Sequence, residues 1–279
     1  MVKQVGNIRP PETAWAAQTI EYKQEVALRI KMIVTDLDRT LLRTDLSISD
    51  YTAGVLNRCR KSGIKIVFAT ARYLRHVKDF AMQIPVDAVI AINGAIIYVG
   101  GEIVIEHTIP ENTKHSLVRE LNTAGIKIAA EAPNVVYTNR HTPDDDRIIW
   151  DFANEVPIPI HRISIRHHDT EQVMRIAQKY DDLRVYSNSG ETLLDIGPAE
   201  ADKSKGVYEV SELLGIPMSE IAAFGDDFND IEMLKECGIG VAVANACEEA
   251  KAAADYVCGT NDEDGMARWL EEHVMSIGS

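Results

Sequence analysis

The sequence predicts an α/β protein with a parallel-sheet core and an inserted α+β domain. Two stretches in which short apolar runs alternate with helical patterns flank a middle stretch of mixed pattern. Strands that alternate with helices form right-handed βαβ units, and such units build a parallel sheet. With 279 residues, the chain is long enough for two domains. We therefore expect the flanking stretches to form one sheet around a separate inserted domain.

The first flanking stretch, residues 31–94, contains three short apolar runs that predict buried strands. Residues 47–50 offer capping side chains for a helix after the first strand, and Ser62 with Gly63 ends that helix. A second helix is expected to follow Thr70 directly. The expected elements are strands over 32–35, 64–68 and 88–92, and helices over 52–61 and from 70 to about 83.

The middle stretch, residues 95–189, mixes strand-like and helical segments, as an α+β domain does. Its expected strands cover 96–99, 102–106, 126–130 and 161–166, and its expected helices cover 112–123 and 170–180. The second flanking stretch, residues 190–279, resumes the alternation. Its expected helices cover 203–214, 227–236, 248–253 and the chain from 263, and its strands cover 221–224, 239–243 and 256–257. Residues 1–30 are expected to be a separate N-terminal arm, to which we assign no function.

The composition narrows the range of functions. A net charge of −14, from 29 basic and 43 acidic residues, argues against a nucleic-acid partner, which requires a basic face. No apolar run approaches the ~20 residues of a membrane span, and the N-terminal segment lacks the apolar stretch of a signal peptide. We therefore expect a cytoplasmic protein with no membrane partner. An anionic substrate would need local compensation from a metal ion, Lys, Arg or backbone N–H groups.

Asp36 and Asp38 follow the first predicted strand directly, with one residue between them. Side chains two residues apart on a strand point the same way, so both carboxylates could enter one crevice. Two like charges at about 4 Å repel by roughly 4 kcal/mol at an effective dielectric constant of ~20. Such a pair requires a cation, a shared proton or a reaction that uses both groups. The alternative is a turn or helix cap, where Asp is common.

Similar polar residues lie near the ends of other predicted strands. They are Thr70, Lys203 at the start of a helix, and the acids of segment 226–230. In open α/β sheets, ligands bind outside the carboxyl ends of the strands. Each residue alone has a structural explanation: Thr70 as a helix cap, Lys203 as part of a solvated face, and the acids as a capping cluster. Together with the Asp36 and Asp38 pair, they fit phosphoryl transfer.

Phosphoryl transfer assigns a role to each residue. Asp36 is the candidate nucleophile, and Asp38 is the candidate general acid and base. Thr70 and the N–H of Ala71 would hold the phosphate, while Lys203 would neutralise developing charge and orient Asp36. Oxygen ligands favour Mg²⁺ over zinc or copper. The candidate metal ligands are Asp36, Asp38, Asp226, Asn229 and Asp230. The candidate substrate contacts are Arg72, Asn93 and Asn188.

This ordered set resembles the haloacid dehalogenase (HAD) superfamily, and most closely its Cof-type phosphatases with a large α/β (type IIB) cap. The segments that match are 36–40, 68–72, Lys203 and 225–230, and the likeness continues through 93–95, 252–257 and 261–265. It covers residues 31–279. The resemblance implies a Rossmann-like core, a cap formed by the inserted domain, and an Mg²⁺-dependent phosphatase that acts through an aspartyl-phosphate.

The chain departs from the pattern of the superfamily at two positions. Arg39 replaces the Gly that is more usual between the second Asp and the Thr, and Ala71 stands where many relatives carry Gly. Neither departure removes a reacting group. The third motif has two candidates, Lys203 and Lys205. We prefer Lys203 because it stands twelve residues before Gly215, the spacing expected in relatives.

The predicted function is hydrolysis of a small phosphorylated metabolite, with sugar phosphates as the first expectation. Pyridoxal phosphate and flavin mononucleotide are the next substrates by resemblance. Two alternatives stay open: a phosphomutase of the same superfamily, which uses the same two aspartates, and a non-catalytic sensor phosphorylated on aspartate. Asp38 argues against the sensor, since a group placed to hydrolyse the intermediate would shorten its signal. The sequence leaves the oligomeric state open.

Overall fold

A computed structural model describes residues 30–140, 147–166, 170–187 and 193–275. These residues form two β-sheets with helices packed against them, which confirms the predicted α/β class. We call the sheet that contains the first strand the core sheet and the other the cap sheet. Residues 1–29 of the expected N-terminal arm lie outside the described residues.

The strands and helices are numbered separately in chain order. The strands are β1 (Met32–Thr35), β2 (Lys65–Ala69), β3 (Ala88–Ala91), β4 (Ile96–Val99), β5 (Glu102–Glu106), β6 (Ile128–Ala132), β7 (Val135–Thr138), β8 (Ile148–Ile149), β9 (Arg162–Arg166), β10 (Leu183–Ser187), β11 (Leu193–Pro198), β12 (Ile221–Gly225), β13 (Ile239–Ala242) and β14 (Tyr256–Val257). The α-helices are α1 (Asp50–Lys61), α2 (Lys78–Gln83), α3 (Glu111–Thr123), α4 (Thr170–Ala177), α5 (Lys203–Leu214), α6 (Ile231–Glu236), α7 (Glu248–Ala253) and α8 (Gly265–Leu270).

Across the core sheet the strand order is β14-β13-β12-β1-β2-β3-β4-β5. The strands from β14 to β3 are parallel, and β4 and β5 continue the sheet antiparallel. Strand β1 lies between β2 and β12, so that Thr35 is opposite Phe68 on one side and Phe224 on the other. The chain leaves β1 on one side first and returns on the other much later. The carboxyl end of β1 is therefore the switch point at which ligands bind in such sheets.

Helices cover both faces of the core sheet. Leu56 of α1 and Leu270 of α8 pack on one face, and Val207 of α5 and Met233 of α6 pack on the other. All four residues of β1 are buried as a result, which is why its sequence is apolar without alternation. In the described parts of the chain, no helix has both the length and the apolar character to cross a membrane.

The cap sheet has the strand order β10-β11-β9-β6-β7-β8 and is antiparallel except for the pair β7 and β8. Helices α3 and α4 cover one face, where Leu117 and Val173 pack with Ile163. The other face, which we call the open face, is polar. Arg162 there lies opposite Glu131, and Ser164 lies opposite Asp195.

The two sheets differ from the expected domain boundaries at two places. The sequence places residues 96–106 in the insert, but they form β4 and β5 at the edge of the core sheet. It places residues 193–198 in the core, but they form β11 within the cap sheet. Apolar patterns predict that a segment is a strand, and the bounds expected for β4 and β5, 96–99 and 102–106, agree with the structure. They do not reveal which sheet a strand joins, because pairing depends on distant partners.

The helix expected directly after Thr70 begins later, at Lys78. Tyr73 interrupts it with an extended backbone, φ −72° and ψ 151°, and its ring is buried, with only 1% of the residue exposed. The guanidinium groups of Arg75 and Arg162 lie 4.5 and 5.5 Å from the centre of that ring. Burial of the ring between two cations therefore takes precedence over continuation of the helix.

Candidate active site

The carboxyl ends of β1 and β12 bring two of the predicted acids together. Asp36 follows β1, and its N–H donates to the carbonyl of Phe224 at 2.9 Å. Asp226 follows β12, and its Oδ1 accepts a hydrogen bond from the Thr40 hydroxyl at 3.1 Å. Both acids are buried, with 6% of Asp36 and 4% of Asp226 exposed. A buried carboxylate requires compensating partners.

Lys203 supplies that compensation. Its Nζ donates to Oδ1 of Asp36 at 2.6 Å and to Oδ1 of Asp230 at 2.7 Å, and only 2% of the residue is exposed. The structure therefore places the lysine against the predicted nucleophile. Lys205, the other candidate, has a half-exposed side chain that pairs with Glu200 at 3.0 Å.

The local structure fixes the position of Lys203 as the first residue of α5. The Asp202 side chain caps the helix by accepting the N–H groups of Ser204 and Lys205 at 2.8 and 3.1 Å. Gly94 lets the chain pass close to Asp202 at the start of this helix, because a Cβ at position 94 would lie 2.3 Å from the carbonyl oxygen of Asp202. Gly94 also has φ +96°, a conformation that glycine adopts without strain.

Asp230 anchors the loop after β12. Its Oδ2 accepts the N–H groups of Asp226 and Asp227 at 2.9 and 3.1 Å, while its Oδ1 binds Lys203. The carboxylate folds back over Gly225, where a Cβ would lie 2.5 Å from the Cβ of Asp230. Asp230 is fully buried. It therefore holds both Asp226 and Lys203 in place.

Burial dominates the titration of this cluster. It raises the pKa of Asp36 well above the ordinary value, an effect that Lys203 opposes and that Asp230 and Asp226 reinforce. Burial, followed by the charge of Asp230, raises the pKa of Asp226 to about 7. Burial alone would lower the pKa of Lys203, but Asp230 and Asp36 outweigh it and raise that pKa. One ammonium thus faces three carboxylates.

The donor set fits a divalent metal ion. Asp36, Asp226 and Asp230 offer oxygen atoms within 4.8 Å of one another. The three carboxylates face the buried ammonium of Lys203 and the half-exposed guanidinium of Arg39, whose Nε lies 3.8 Å from Asp226. Negative charge therefore stays uncompensated when all are ionised, and a cation would relieve it. Oxygen donors of this kind suit Mg²⁺. The carboxylate of Asp38, also expected to bind metal, is not among these three groups.

Asp38 is instead held by Arg72. The Arg72 Nε donates to Oδ2 of Asp38 at 2.7 Å, and Nη2 pairs with Oδ1. The Thr70 hydroxyl accepts a hydrogen bond from the backbone N–H of Arg72 at 3.1 Å, which fixes the backbone position of this arginine. The predicted phosphate loop and the predicted acid and base therefore lie side by side. Arg72, expected to contact substrate, is a partner of Asp38 in this state.

Asn93 and Asn229 form a second link across the site. The Asn229 amide nitrogen donates to the Asn93 side-chain oxygen at 3.1 Å, and the Asn93 N–H donates to the carbonyl of Thr70 at 3.0 Å. Asn93 has φ +52° and the preceding Ile92 has φ +50°, which is rare for a β-branched residue. Such strain occurs most often at functional sites. Asn188, the third predicted substrate contact, lies outside the described residues.

Comparison with known proteins identifies the family. Residues 33–270 match the family described as haloacid dehalogenase-like hydrolase. The chain belongs to this family. The predicted superfamily and enzyme class are therefore confirmed. A HAD subclass IIB sugar phosphatase shares the fold, with a TM-score of 0.74 at 24% identity over 86% of this chain and 98% of that chain. That likeness agrees with the predicted type IIB cap.

Relatives of this HAD hydrolase are named as phosphatases. The 5-amino-6-(5-phospho-D-ribitylamino)uracil phosphatase YcsE of Bacillus subtilis (strain 168) is 28% identical over 88% of this chain and 96% of its own length. The pyridoxal phosphate phosphatase YbhA of Escherichia coli (strain K12) is 25% identical over 88% and 99%. A HAD phosphatase from Bacteroides thetaiotaomicron has a TM-score of 0.78 at 28% identity, over 88% of this chain and 95% of that chain.

The structure explains the departure of this HAD hydrolase at Arg39. Arg39 has φ +60°, in the left-handed region that costs a residue with a Cβ roughly 1–2 kcal/mol, so Gly is the more usual residue there. Its guanidinium donates to the carbonyl of Asn245 at 3.2 Å, and its Nε lies 3.8 Å from Oδ2 of Asp226. The substitution therefore adds positive charge beside one of the clustered acids.

Sequence reasoning missed Arg162 of the cap. Its Nη1 donates to the carbonyl of Ala71 at 2.9 Å, and its Nη2 pairs with Glu131 at 2.7 Å. Arg162 thus joins the open face of the cap sheet to the predicted phosphate loop. The alternation of polar and apolar residues over 162–166 could have revealed it, since it places Arg162 and Ser164 on one polar face.

The charge imbalance gives a testable prediction for Asp226. Asp226→Asn removes a carboxylate that burial disfavours, so we expect it to stabilise the metal-free hydrolase at pH 8 by about 1–4 kcal/mol. The pKa of Asp226 is raised in the folded protein, so its carboxylate destabilises the fold fully above pH about 7. This destabilisation disappears as the pH falls towards 3.8. The gain should shrink over that range. Urea denaturation in EDTA measures it.

The control for this prediction is Asp181→Asn, which alters an exposed acid of the cap and should change stability by less than about 0.5 kcal/mol. A metal-free Asp226→Asn protein that is less stable than the unaltered protein at pH 8 would contradict the proposed imbalance.

Proposed function

We propose that this HAD hydrolase is an Mg²⁺-dependent phosphatase of small phosphorylated metabolites, with Asp36 as the nucleophile. The observation that carries the proposal is the buried contact between Lys203 and Asp36, next to Asp226 and Asp230. A lysine on one carboxylate oxygen orients the other oxygen for attack. The phosphatase names of the relatives support the same reaction class.

In the first step, Oδ2 of Asp36 attacks phosphorus, and the bond from phosphorus to the ester oxygen breaks. Lys203 binds Oδ1, which leaves Oδ2 as the attacking atom. The departing oxygen takes a proton from the carboxyl group of Asp38. Because Arg72 occupies both oxygens of Asp38, Asp38 must leave Arg72 before it can transfer that proton. The products of this step are an aspartyl-phosphate and an alcohol.

In the second step, Asp38 accepts a proton from water, and the water oxygen attacks phosphorus. The bond between phosphorus and Oδ2 of Asp36 breaks, which releases inorganic phosphate and restores the carboxylate. Lys203 stays on Oδ1 throughout and compensates negative charge in both steps. The Thr70 N–H is used within the sheet, where it donates to the carbonyl of Ile90 at 2.8 Å. The N–H of Ala71 and the hydroxyl of Thr70 hold phosphate oxygens in this proposal.

Mg²⁺ would be held by Asp36 and Asp226, with Asp230 and Asn229 as further candidates. When bound, the ion supplies positive charge to the phosphate oxygens and to the acid cluster. The Asp38 carboxylate could bind the ion only after it rotates away from Arg72. Asp230 already binds two N–H groups and Lys203, so we assign it mainly to positioning.

The substrate class is proposed from chemistry and relatives together. Relatives are named for a phosphorylated ribitylamino compound and for pyridoxal phosphate. We keep sugar phosphates as the first expectation, with pyridoxal phosphate next. The open face of the cap sheet offers polar side chains to a hydroxylated leaving group, which favours the first class.

An assay with p-nitrophenyl phosphate tests the proposed chemistry. We expect hydrolysis that requires Mg²⁺, disappears in EDTA, and falls at least about 10³-fold in Asp36→Asn, since that change removes the nucleophile. The exposed acid variant Asp181→Asn should keep its activity. Hydrolysis that survives both EDTA and Asp36→Asn would overturn the proposal.

Two lysines of one helix provide a matched test of charge compensation. Lys203→Ala should lower kcat by about 10²–10³, as the loss of other preorganised charges does, whereas Lys205→Ala should leave it unchanged. Lys203→Ala also leaves buried carboxylates unpaired, at a cost of about 3–5 kcal/mol of stability, so circular dichroism must show that the assayed protein is folded. A folded Lys203→Ala protein with more than a tenth of the activity would contradict this role.

A further inference from the structure

Arg39 is a charged residue beside the acid cluster to which the proposed mechanism gives no role. It stands between Asp38 and Thr40, and its side chain is 54% exposed. Its backbone lies in the left-handed region, with φ 60° and ψ 6°, where a residue with a Cβ is strained. Strain that the surrounding structure maintains is a reason to look for a function of the side chain.

Contacts with the segment after β13 hold the backbone of Arg39 in this conformation. The Asn245 amide nitrogen donates to the carbonyl of Arg39 at 2.7 Å, and the Asn245 side-chain oxygen accepts a hydrogen bond from the N–H of Asn261 at 3.0 Å. Asn261 is buried, and its amide nitrogen donates to the carbonyl of Leu42 at 2.9 Å. The Arg39 side chain therefore starts from a fixed point of the backbone.

The guanidinium of Arg39 lies between this segment and one of the acids. Its Nη2 donates to the carbonyl of Asn245 at 3.2 Å, and its Nε lies 3.8 Å from Oδ2 of Asp226. The other carboxylate oxygen of Asp226, Oδ1, accepts a hydrogen bond from the Thr40 hydroxyl. Oδ2 is therefore the Asp226 oxygen that is better placed to bind a cation, and it is the one that Arg39 approaches.

Arg39 and Lys203 compensate the acid cluster in different ways. Lys203 is buried and donates to Asp36 and Asp230 at 2.6 and 2.7 Å, so its departure would leave buried carboxylates unpaired. The contact of Arg39 with Asp226 is longer and open to solvent, and pairs of that kind contribute little to stability. A divalent ion can therefore replace Arg39 at Asp226, whereas Lys203 stays in the cluster.

We propose that Arg39 competes with the divalent metal ion for Asp226 and lowers the affinity of the site for Mg²⁺. The guanidinium compensates Asp226 in the metal-free protein and repels the ion when the ion binds, and both effects weaken binding. A residue that is not a metal ligand then sets the Mg²⁺ concentration at which the site fills. This inference rests on the Mg²⁺ site of the proposed phosphatase function.

Calorimetric titration of Mg²⁺ into three proteins tests the inference without turnover. The unaltered protein is compared with Arg39→Gln, which removes the charge, and with Arg39→Lys, which keeps it. All three carry a Cβ at this position, so backbone strain is comparable among them. At about 0.1 M KCl, Arg39→Gln should bind Mg²⁺ about threefold tighter or more, and Arg39→Lys should stay within about twofold of the unaltered protein. Thermal unfolding at rising Mg²⁺ should give the same ranking, because binding stabilises the folded protein.

A charge-matched control shows whether the effect is local. Arg60→Gln removes an exposed charge in the last turn of α1, just before the chain enters the amino end of β2, at the edge of the sheet opposite the acids. It should leave the Mg²⁺ affinity unchanged, and an equal gain in Arg60→Gln and Arg39→Gln would overturn the assignment to Asp226. Raising KCl from about 0.05 to about 0.5 M should shrink the gain of Arg39→Gln. A gain that salt leaves unchanged would overturn the explanation by charge.

Failure of this inference can be told apart from failure of the proposed function. Equal Mg²⁺ affinities of the unaltered and Arg39→Gln proteins, together with Mg²⁺-dependent hydrolysis of p-nitrophenyl phosphate, would overturn the role of Arg39 and leave the phosphatase standing. Tighter binding by Arg39→Gln would support that role even if the ester is not hydrolysed, and the missing hydrolysis would count against the phosphatase alone. Binding by none of the proteins would overturn the Mg²⁺ site, and this inference with it.

Discussion

The site depends on one interaction, the ammonium of Lys203 between the carboxylates of Asp36 and Asp230. These three side chains come from separate parts of the core, at the end of β1, the start of α5 and the loop after β12. Each would be unstable at its buried position without the others, because an unpaired charge in the interior costs several kcal/mol. The strand order of the core sheet brings them together at the switch point beside β1.

That arrangement compensates the negative charge incompletely, and we assign a function to the charge that stays uncompensated. With Asp226 included, three carboxylates face one ammonium, and burial holds the pKa of Asp226 near 7. A site built only for stability would remove one acid. A cation-binding site needs the extra acid, since the ion compensates its charge. If the proposed Mg²⁺ site is correct, the cluster exchanges stability of the metal-free fold for affinity towards the ion, as functional sites often do.

The sequence predicted the elements that local pattern determines. Helix α5 has the predicted bounds, and Lys203 rather than Lys205 enters the site. Features that depend on tertiary contacts were missed or misplaced. The pattern of β4 and β5 predicts strands but not their place in the core sheet, and the burial of Tyr73 delays a helix that the pattern favours. The contact of Arg162 with Ala71 joins residues far apart in the chain, which one sequence does not reveal.

The central claim is that Asp36 becomes phosphorylated during turnover. Borohydride trapping tests it most directly: the protein is mixed with substrate and Mg²⁺, quenched within one turnover and reduced, which converts an acyl phosphate to the alcohol. Peptide mass spectrometry then locates the altered side chain. Our account predicts reduction at Asp36 alone, dependent on substrate and on Mg²⁺. Reduction at another carboxylate would contradict the account. So would turnover without any trapped residue, provided that the Asp38→Asn variant also traps none.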